Sequence, residues 1–307
     1  MASGTETWTP RYRGLDTWSD QAILEAFWEG QTRAIASLQP ALPAIAAAAN
    51  ALADRLNKGG RLIYAGAGAS GFLAAGDAME IGPTFGWPDD RIAVLLAGGA
   101  EMKPGLKGDV EDHADRGRSE AQALGLTAKD AMIAVAASGT TLYTLAALET
   151  AKAAGALTIA IANNPGAPML KTADHPILLE TGAEIISGST RMNAGTAQKA
   201  TLGLLSSLTM IRLKRIYDGM MVDMRVQNAK LRERAIGMLV NITGCDKAEA
   251  AAALKRAGDR IKPAVLVLQG LEPNEADRIL ETTGGDLRSA LGLLAHSNQP
   301  AKQGSRA

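Results

Sequence analysis

The feature of this sequence that most constrains its fold is a short apolar run followed by a turn of small residues. Residues 61–65 have strand length, and the next six residues read Gly-Ala-Gly-Ala-Ser-Gly. Glycine lets the backbone turn sharply and lets a ligand approach the main chain. The apolar sequence that follows predicts a helix over 71–81, whose first N–H groups would face the turn. The stretch therefore predicts an anion-binding turn with Gly68 and Ser70 as candidate ligands.

From residue 61 onward, apolar runs alternate with helical patterns. The predicted strands cover residues 61–65, 92–97, 131–137, 157–162 and 175–179. Most of them are continuous apolar runs, which is typical of parallel strands covered on both faces. The alternation predicts an α/β fold, a three-layer αβα sandwich with a parallel sheet and right-handed crossovers. Ligands of such sheets bind at the carboxyl ends of the strands, so the turns after each strand carry the functional information.

A second turn rich in hydroxyl groups follows the third predicted strand. It contributes four candidate ligands, Ser138, Gly139, Thr140 and Thr141. Helix capping would explain one such turn, but it explains two turns built alike less well. Neither turn has the lysine of a nucleotide-binding P-loop. The pair predicts one phosphate group held by several hydroxyls.

The glycine spacing of the first turn also fits the dinucleotide fingerprint. That motif requires an acidic residue about 20 positions later, at the end of the second strand. Asp89 and Asp90 precede the second predicted strand, and Glu101 comes late after it. Nicotinamide or flavin binding is therefore disfavoured. A glycine turn without any ligand stays open as the simplest alternative.

Charge and composition restrict the class of partner. Lys+Arg and Asp+Glu both number 32, and aromatic residues make up only 4% of the chain. Nucleic acid is disfavoured, because neither a basic excess nor an aromatic surface for base stacking is present. The single cysteine, Cys245, excludes an intrachain disulfide and a cysteine-rich metal site. With no apolar run of membrane-spanning length, we expect no membrane association and a cytoplasmic location.

A third group of polar residues lies in the sequence between residues 188 and 199. Ser189 or Thr190 is predicted to cap a long helix that ends near residue 217, and Arg191 and Lys199 would lie two turns apart on it. These four residues are candidate substrate ligands. The alternative is a solvated, charged helix face.

Carboxylates are the best candidates for acid–base chemistry, because no histidine or cysteine lies in the turns described above. Glu80 lies among small and apolar residues near the end of the predicted helix. A carboxylate in such surroundings is either paired or has a raised pKa suited to proton transfer. Glu111 follows the second strand, where a solvated loop residue is the alternative. The residues by themselves predict a phosphorylated small molecule, a sugar for example, with one or two glutamates near it.

Several of these stretches together resemble the N-acetylmuramic acid 6-phosphate etherases. The resemblance is carried by four stretches. They are Gly-Ala-Gly-Ala-Ser-Gly at residues 66–71, Asp-Ala-Met-Glu with Pro-Thr-Phe-Gly at 77–86, Ala-Ala-Ser-Gly at 136–139, and Gly-Ser-Thr-Arg-Met followed by Ala-Gly-Thr-Ala-Gln-Lys at 188–199. It implies a sugar isomerase (SIS) domain with an N-terminal helical arm over 1–240. It further implies a small helical unit over 241–307 that is similar to ubiquitin-associated domains. A homodimer without metal or cofactor is also implied.

The resemblance implies a reaction as well. These enzymes cleave the D-lactyl ether of N-acetylmuramic acid 6-phosphate to N-acetylglucosamine 6-phosphate and D-lactate, in peptidoglycan recycling. By the same resemblance, Glu80 would protonate the departing lactate and Glu111 would remove the C2 proton. A phosphosugar-binding regulator without turnover and an SIS enzyme acting on another phosphorylated sugar stay open as alternatives.

Three positions depart from the family pattern. Phe72 and Thr140 stand where the family usually has arginine, and Asn193 stands where it commonly has lysine. Because cations near a phosphorylated, carboxylated substrate are not interchangeable with neutral groups, we expect weaker selection for the lactyl carboxylate.

Overall fold

A five-stranded parallel sheet forms the centre of the fold, as the sequence predicts. The computed structural model describes residues 4–99 and 108–297. In the sheet the strand order is β2-β1-β3-β4-β5. The strands are β1 Leu62–Gly66, β2 Ile92–Leu96, β3 Ala131–Val135, β4 Leu157–Ala162 and β5 His175–Leu178. Each lies within two residues of its predicted bounds.

Twelve α-helices lie in the described residues. They are α1 Asp20–Ala36, α2 Leu42–Asn57, α3 Gly68–Phe85, α4 Ala114–Ala123, α5 Leu142–Ala153, α6 Pro168–Thr172, α7 Asn193–Arg212, α8 Ala229–Thr243, α9 Lys247–Arg256, α10 Ile261–Leu268, α11 Pro273–Thr282 and α12 Leu287–Ser297. Short 3₁₀ helices cover Gly4–Glu6, Pro10–Tyr12, Leu15–Thr17, Asp89–Arg91 and Gly108–Asp112. None of the helices in the described ranges has both the length and the apolar character that a membrane span requires.

Helices cover both faces of the sheet. Alternate side chains of the strands, among them Ile63 and Met132, pack with α4, α5 and α6 in one apolar cluster. On the opposite face, the hydroxyl of Tyr64 donates to Asp77 of α3, and α2 contacts β3, β4 and β5. The predicted three-layer αβα arrangement is therefore confirmed.

Helix α3 begins three residues before its predicted start, and it ends at Phe85 rather than at 81. Gly66 and Gly71 make the earlier start possible, because a Cβ placed on Gly66 would lie 2.6 Å from the Cα of Gly71. A Cβ on Gly71 would lie 2.5 Å from a methyl carbon of Leu96. Side chains larger than glycine would push the helix away from the end of β1.

The chain forms two compact units. The first comprises residues up to Glu80 and Pro88–Thr209, and the second comprises Ile81–Trp87 and the residues from Met210. The second unit has its own apolar core, which includes Leu239, Leu254 and Val265. Asp246 caps α9 and forms a capping box with Glu249. The domain boundary near 240 and the likeness to ubiquitin-associated domains stay predictions.

An ion pair fixes β1 next to β3 at their amino ends. The guanidinium of Arg61 donates to both carboxylate oxygens of Asp130, at 3.0 and 2.8 Å, and the backbone N–H of Thr127 donates to the same carboxylate at 2.8 Å. Burial opposes the charge of Asp130, but the bonds from Arg61 and Thr127 outweigh it and hold the pKa of that carboxyl well below its usual range. The pair thus supports the two strands whose opposite ends carry the glycine and hydroxyl turns.

We expect Asp130→Asn to lower the free energy of unfolding by about 1.5–3 kcal/mol at pH 7, the usual contribution of hydrogen bonds to a charged group. Because the folded pKa of Asp130 is depressed, this stabilisation is complete above its unfolded value of about 4 and declines as the pH falls below it. Urea unfolding of both proteins at pH 7 and at pH 3 measures the difference. A gap that widened at pH 3 would contradict the assigned charge.

Candidate active site

The two predicted anion turns follow neighbouring strands. β1 pairs with β2 on one side and with β3 on the other, so the chain reverses its direction of travel across the sheet between β1 and β3. Ligands of open α/β sheets bind at such a switch point, outside the carboxyl ends of the strands. Gly66 is paired with Val135, so the ends of β1 and β3 lie about one strand spacing, 4.8 Å, apart. The topology therefore forms one crevice from both turns.

The hydroxyl groups of these turns lie close to helix N-termini. Ser70 lies in the first turn of α3 and is mostly buried. In the second turn, the hydroxyl oxygens of Ser138 and Thr141 are 3.4 Å apart, and the exposed Thr140 donates its N–H to Ser138 Oγ at 3.2 Å. Helix α5 begins directly after Thr141. Hydroxyls at the start of a helix, where the helix dipole is positive, are suited to a phosphate group.

Glu111 lies at the same crevice. It belongs to the 3₁₀ helix Gly108–Asp112, and its carboxylate packs against the backbone of Gly68, where a Cβ would lie 2.5 Å from Glu111 Oε1. The side chain is partly buried. Burial, and to a smaller extent the neighbouring charge of Asp112, raises the pKa of Glu111. A partly desolvated carboxylate beside a phosphate-type site is a suitable proton acceptor.

Glu80 lies elsewhere on α3. Twelve residues separate it from Gly68, which corresponds to about 18 Å along the helix axis. Its carboxylate is 3.5 Å from Lys199 Nζ, and the two side chains are 70% and 48% exposed. The candidate acid and the candidate base of one chain are therefore not brought together by the fold.

A buried carboxylate that the sequence reasoning missed lies between these two points on α3. Asp77 accepts hydrogen bonds from the hydroxyls of Tyr64 at 2.7 Å and Ser206 at 3.1 Å. Burial raises the pKa of Asp77, although the two hydroxyl bonds act in the opposite direction. The contacts join α3 to β1 and to α7. The only sequence signal was an aspartate in an apolar helix.

The polar stretch at residues 188–199 differs from its prediction. Helix α7 begins at Asn193 and ends at Arg212, so Ser189 and Thr190 are not its cap and Arg191 precedes it. The cap is the buried carboxylate of Glu184, which accepts the N–H groups of Asn193 and Ala194, both at 2.9 Å. Because Arg191 lies outside the helix, the prediction that Arg191 and Lys199 share a helix face two turns apart does not apply. Both cations are exposed.

The two asparagines after β4 connect neighbouring segments at the ligand edge of the sheet. Asn163 donates to the carbonyl of Leu179 at 3.1 Å and accepts from Gln198 of α7 at 2.9 Å. Asn164 exchanges two hydrogen bonds with Thr5, near the N-terminus. The sequence reasoning missed Thr5, because the two residues are 159 positions apart and no local pattern links them.

The three departures from the family pattern have different environments. Phe72 lies partly buried near the start of α3, and Thr140 is exposed in the second turn. Asn193 is buried, and its side-chain oxygen accepts from Gln31 of α1 at 3.4 Å. The residue at 193 therefore packs against α1, and of the three only Phe72 and Thr140 border the two turns.

The acidic residues considered for a dinucleotide do not support one. Asp89 and Asp90 form a 3₁₀ helix at the amino end of β2, opposite to the ligand edge. Glu101 lies outside the described residues.

We expect Ser138→Ala to weaken binding of N-acetylglucosamine 6-phosphate by about 1–3 kcal/mol, as for a charge-assisted hydrogen bond lost from a partly buried site. Titration calorimetry measures the affinity. Ser119→Ala, at an exposed position of α4, is the matched control. Equal affinities of Ser138→Ala and wild type would remove Ser138 from the phosphate site.

The chain is similar to known proteins over most of its length. The SIS domain family matches residues 114–208. An N-acetylmuramic acid 6-phosphate etherase from Deinococcus radiodurans is 47% identical over 94% of this chain and 95% of its own length. Proteins of the same name from Rubrobacter xylanophilus and Serratia proteamaculans are each 40% identical over 94% of this chain, covering 95% and 97% of their lengths. This chain belongs to the N-acetylmuramic acid 6-phosphate etherase family.

Proposed function

We propose that this protein cleaves the D-lactyl ether of N-acetylmuramic acid 6-phosphate, giving N-acetylglucosamine 6-phosphate and D-lactate. The observation that carries the proposal is the partly buried carboxylate of Glu111 against Gly68, at the start of α3 and next to a second hydroxyl turn. Family relatives of that name at 40–47% identity support the substrate. The candidate substrate ligands are Gly68, Ser70, Ser138, Gly139, Thr140, Thr141, Ser189, Thr190, Arg191 and Lys199.

The chemistry requires a base and an acid in turn. In the open-chain sugar, the aldehyde acidifies the C2 proton, and Glu111 removes it. The electron pair then forms the C2–C3 double bond as the C3–O bond breaks, and Glu80 gives a proton to the departing lactate oxygen. Water adds to the unsaturated aldehyde, with its hydroxyl at C3 and a proton at C2. A proton transfer by a positioned side chain contributes about 10²–10⁴-fold to the rate.

Glu111→Gln keeps the shape of the side chain but removes the proton acceptor. We expect D-lactate release, and exchange of the C2 proton with deuterated solvent, to fall by about 10²–10⁴-fold, because no carboxylate is left to take the proton. Glu80→Gln should instead retain measurable exchange while lactate release slows. Enzymatic detection of D-lactate and proton NMR measure the two steps. Wild-type exchange in Glu111→Gln would assign the base elsewhere, and a wild type that releases no D-lactate would refute the proposed activity.

We further infer that the site is completed by a second copy of this chain in a homodimer. Atoms C2 and C3 are bonded neighbours, whereas Glu80 and Gly68 are separated by about 18 Å along α3. Glu80 is 70% exposed and lies beside Met79, which is 62% exposed. Leu24, Trp28 and Ile35 are exposed large apolar residues spaced along α1. Such features suit a contact between copies, through which the Glu80 of one subunit would reach the Glu111 of the other.

Hybrid dimers test this arrangement. When Glu80→Gln and Glu111→Gln chains are unfolded and refolded together, a hybrid has one site with both glutamates and one with neither. Random pairing should then restore about a quarter of wild-type activity, because half of the dimers are hybrids with one intact site each. Activity that stayed at the mean of the two single variants would show that both glutamates act within one chain. Sedimentation measures the oligomeric state.

The cytoplasmic location stays a prediction, which cell fractionation tests.

A further inference from the structure

We propose that Glu6 binds the sugar part of the substrate and so helps to select it; this inference rests on the proposed function. Glu6 lies in the N-terminal arm, defined here as residues 4–14, which starts with the 3₁₀ helix Gly4–Glu6.

The arm is anchored next to the second phosphate turn. Thr5 is fully buried, and its backbone N–H donates to Asn164 Oδ1 at 3.2 Å. In return, Asn164 Nδ2 donates to Thr5 Oγ1 at 3.0 Å and to the carbonyl of Ala137 at 2.9 Å. Ala137 directly precedes Ser138. The residue before Glu6 is thus tied to the carboxyl ends of β3 and β4.

A second anchor lies on the other side of Glu6. Tyr12 is buried and packs with Ala26 of α1 and with Ile185. Its hydroxyl accepts a hydrogen bond from Arg33 at 3.3 Å. An arm fixed at Thr5 and at Tyr12 confines Glu6 to a narrow region of the sheet edge.

Glu6 itself lies against the Gly-Ser-Thr-Arg-Met stretch that begins at Gly188. Its carbonyl accepts a hydrogen bond from the hydroxyl of Ser187 at 3.3 Å. A Cβ placed on Gly188 would lie 3.0 Å from Glu6 Oε2, and Gly188 directly precedes the candidate ligands Ser189 and Thr190. The residue is exposed, so its carboxylate is accessible to a ligand.

The charge of Glu6 defines what it can recognise. A carboxylate accepts hydrogen bonds and repels anions, so it is unsuited to the phosphate and to the lactyl carboxylate of the substrate. The remaining donors of the substrate are the sugar hydroxyls and the acetamido N–H. With phosphate at the two turns, Glu6 would accept a hydrogen bond from one of these donors and orient the sugar chain along the arm.

Two ligands separate this role from a structural one. We expect Glu6→Ala to bind N-acetylglucosamine 6-phosphate about 10- to 100-fold more weakly, as for a lost hydrogen bond to a charged group, while its affinity for inorganic phosphate changes by less than about twofold. Titration calorimetry measures both affinities. Glu149→Ala, which removes an exposed carboxylate from α5, should bind both ligands as the wild type does. Glu6→Gln, which keeps an acceptor oxygen without the charge, should give an intermediate loss.

Other outcomes would overturn the inference. Wild-type affinity of Glu6→Ala for the sugar phosphate would exclude contact with the sugar. An equal loss for both ligands would mean that the arm only shapes the phosphate turn. Should Glu6→Ala fold poorly in a thermal melt, Glu6→Gln decides, and wild-type binding by that variant would also overturn the inference. The D-lactate assay is independent, because a wild type that binds the sugar phosphate but releases no lactate refutes the proposed function and leaves the test of Glu6 intact.

Discussion

The close approach of Gly66 to Gly71 is the constraint on which the site depends. At this point the end of β1 and the first turn of α3 are separated by a distance that leaves no room for a side chain on either residue. If the helix moved away to admit one, the hydroxyl of Ser70 and the backbone beside Glu111 would move with it. The glycines of this turn therefore serve main-chain contact first, and the anion site is a consequence of that contact.

The sheet was predictable from the sequence because its strands are covered on both faces. A strand such as Leu157–Ala162 is buried at every position, and a continuous apolar run is the signal of that environment. Helix starts were less predictable. The first turn of α3 contains two glycines, which have weak helix propensity, and the close approach to β1 places it. The start of α7 is set by Glu184, nine residues away from Asn193, where no capping pattern would direct attention.

The candidate site was only partly predictable for the same physical reason. The turns at Ser70 and Ser138 are local patterns, and the strand order then brings them together. The arm depends on a contact between Thr5 and Asn164, whose partners have no sequence relation that a single chain reveals. The family resemblance named Glu80 and Glu111, but the distance between them follows only from their places on a continuous helix and on a 3₁₀ turn against its start.

The tether at Asp77 has a mechanical consequence for α3. A helix that packs through small residues is weakly restrained against rotation about its own axis, because alanine and glycine side chains do not interlock with its neighbours. Asp77 removes that freedom by bonding Tyr64 of the sheet on one side and Ser206 of α7 on the other. Ser70 lies two turns before Asp77 and Glu80 lies one turn after it, so a single buried carboxylate fixes the direction in which both side chains point. Loss of these two hydrogen bonds would therefore misalign Ser70 and Glu80 together.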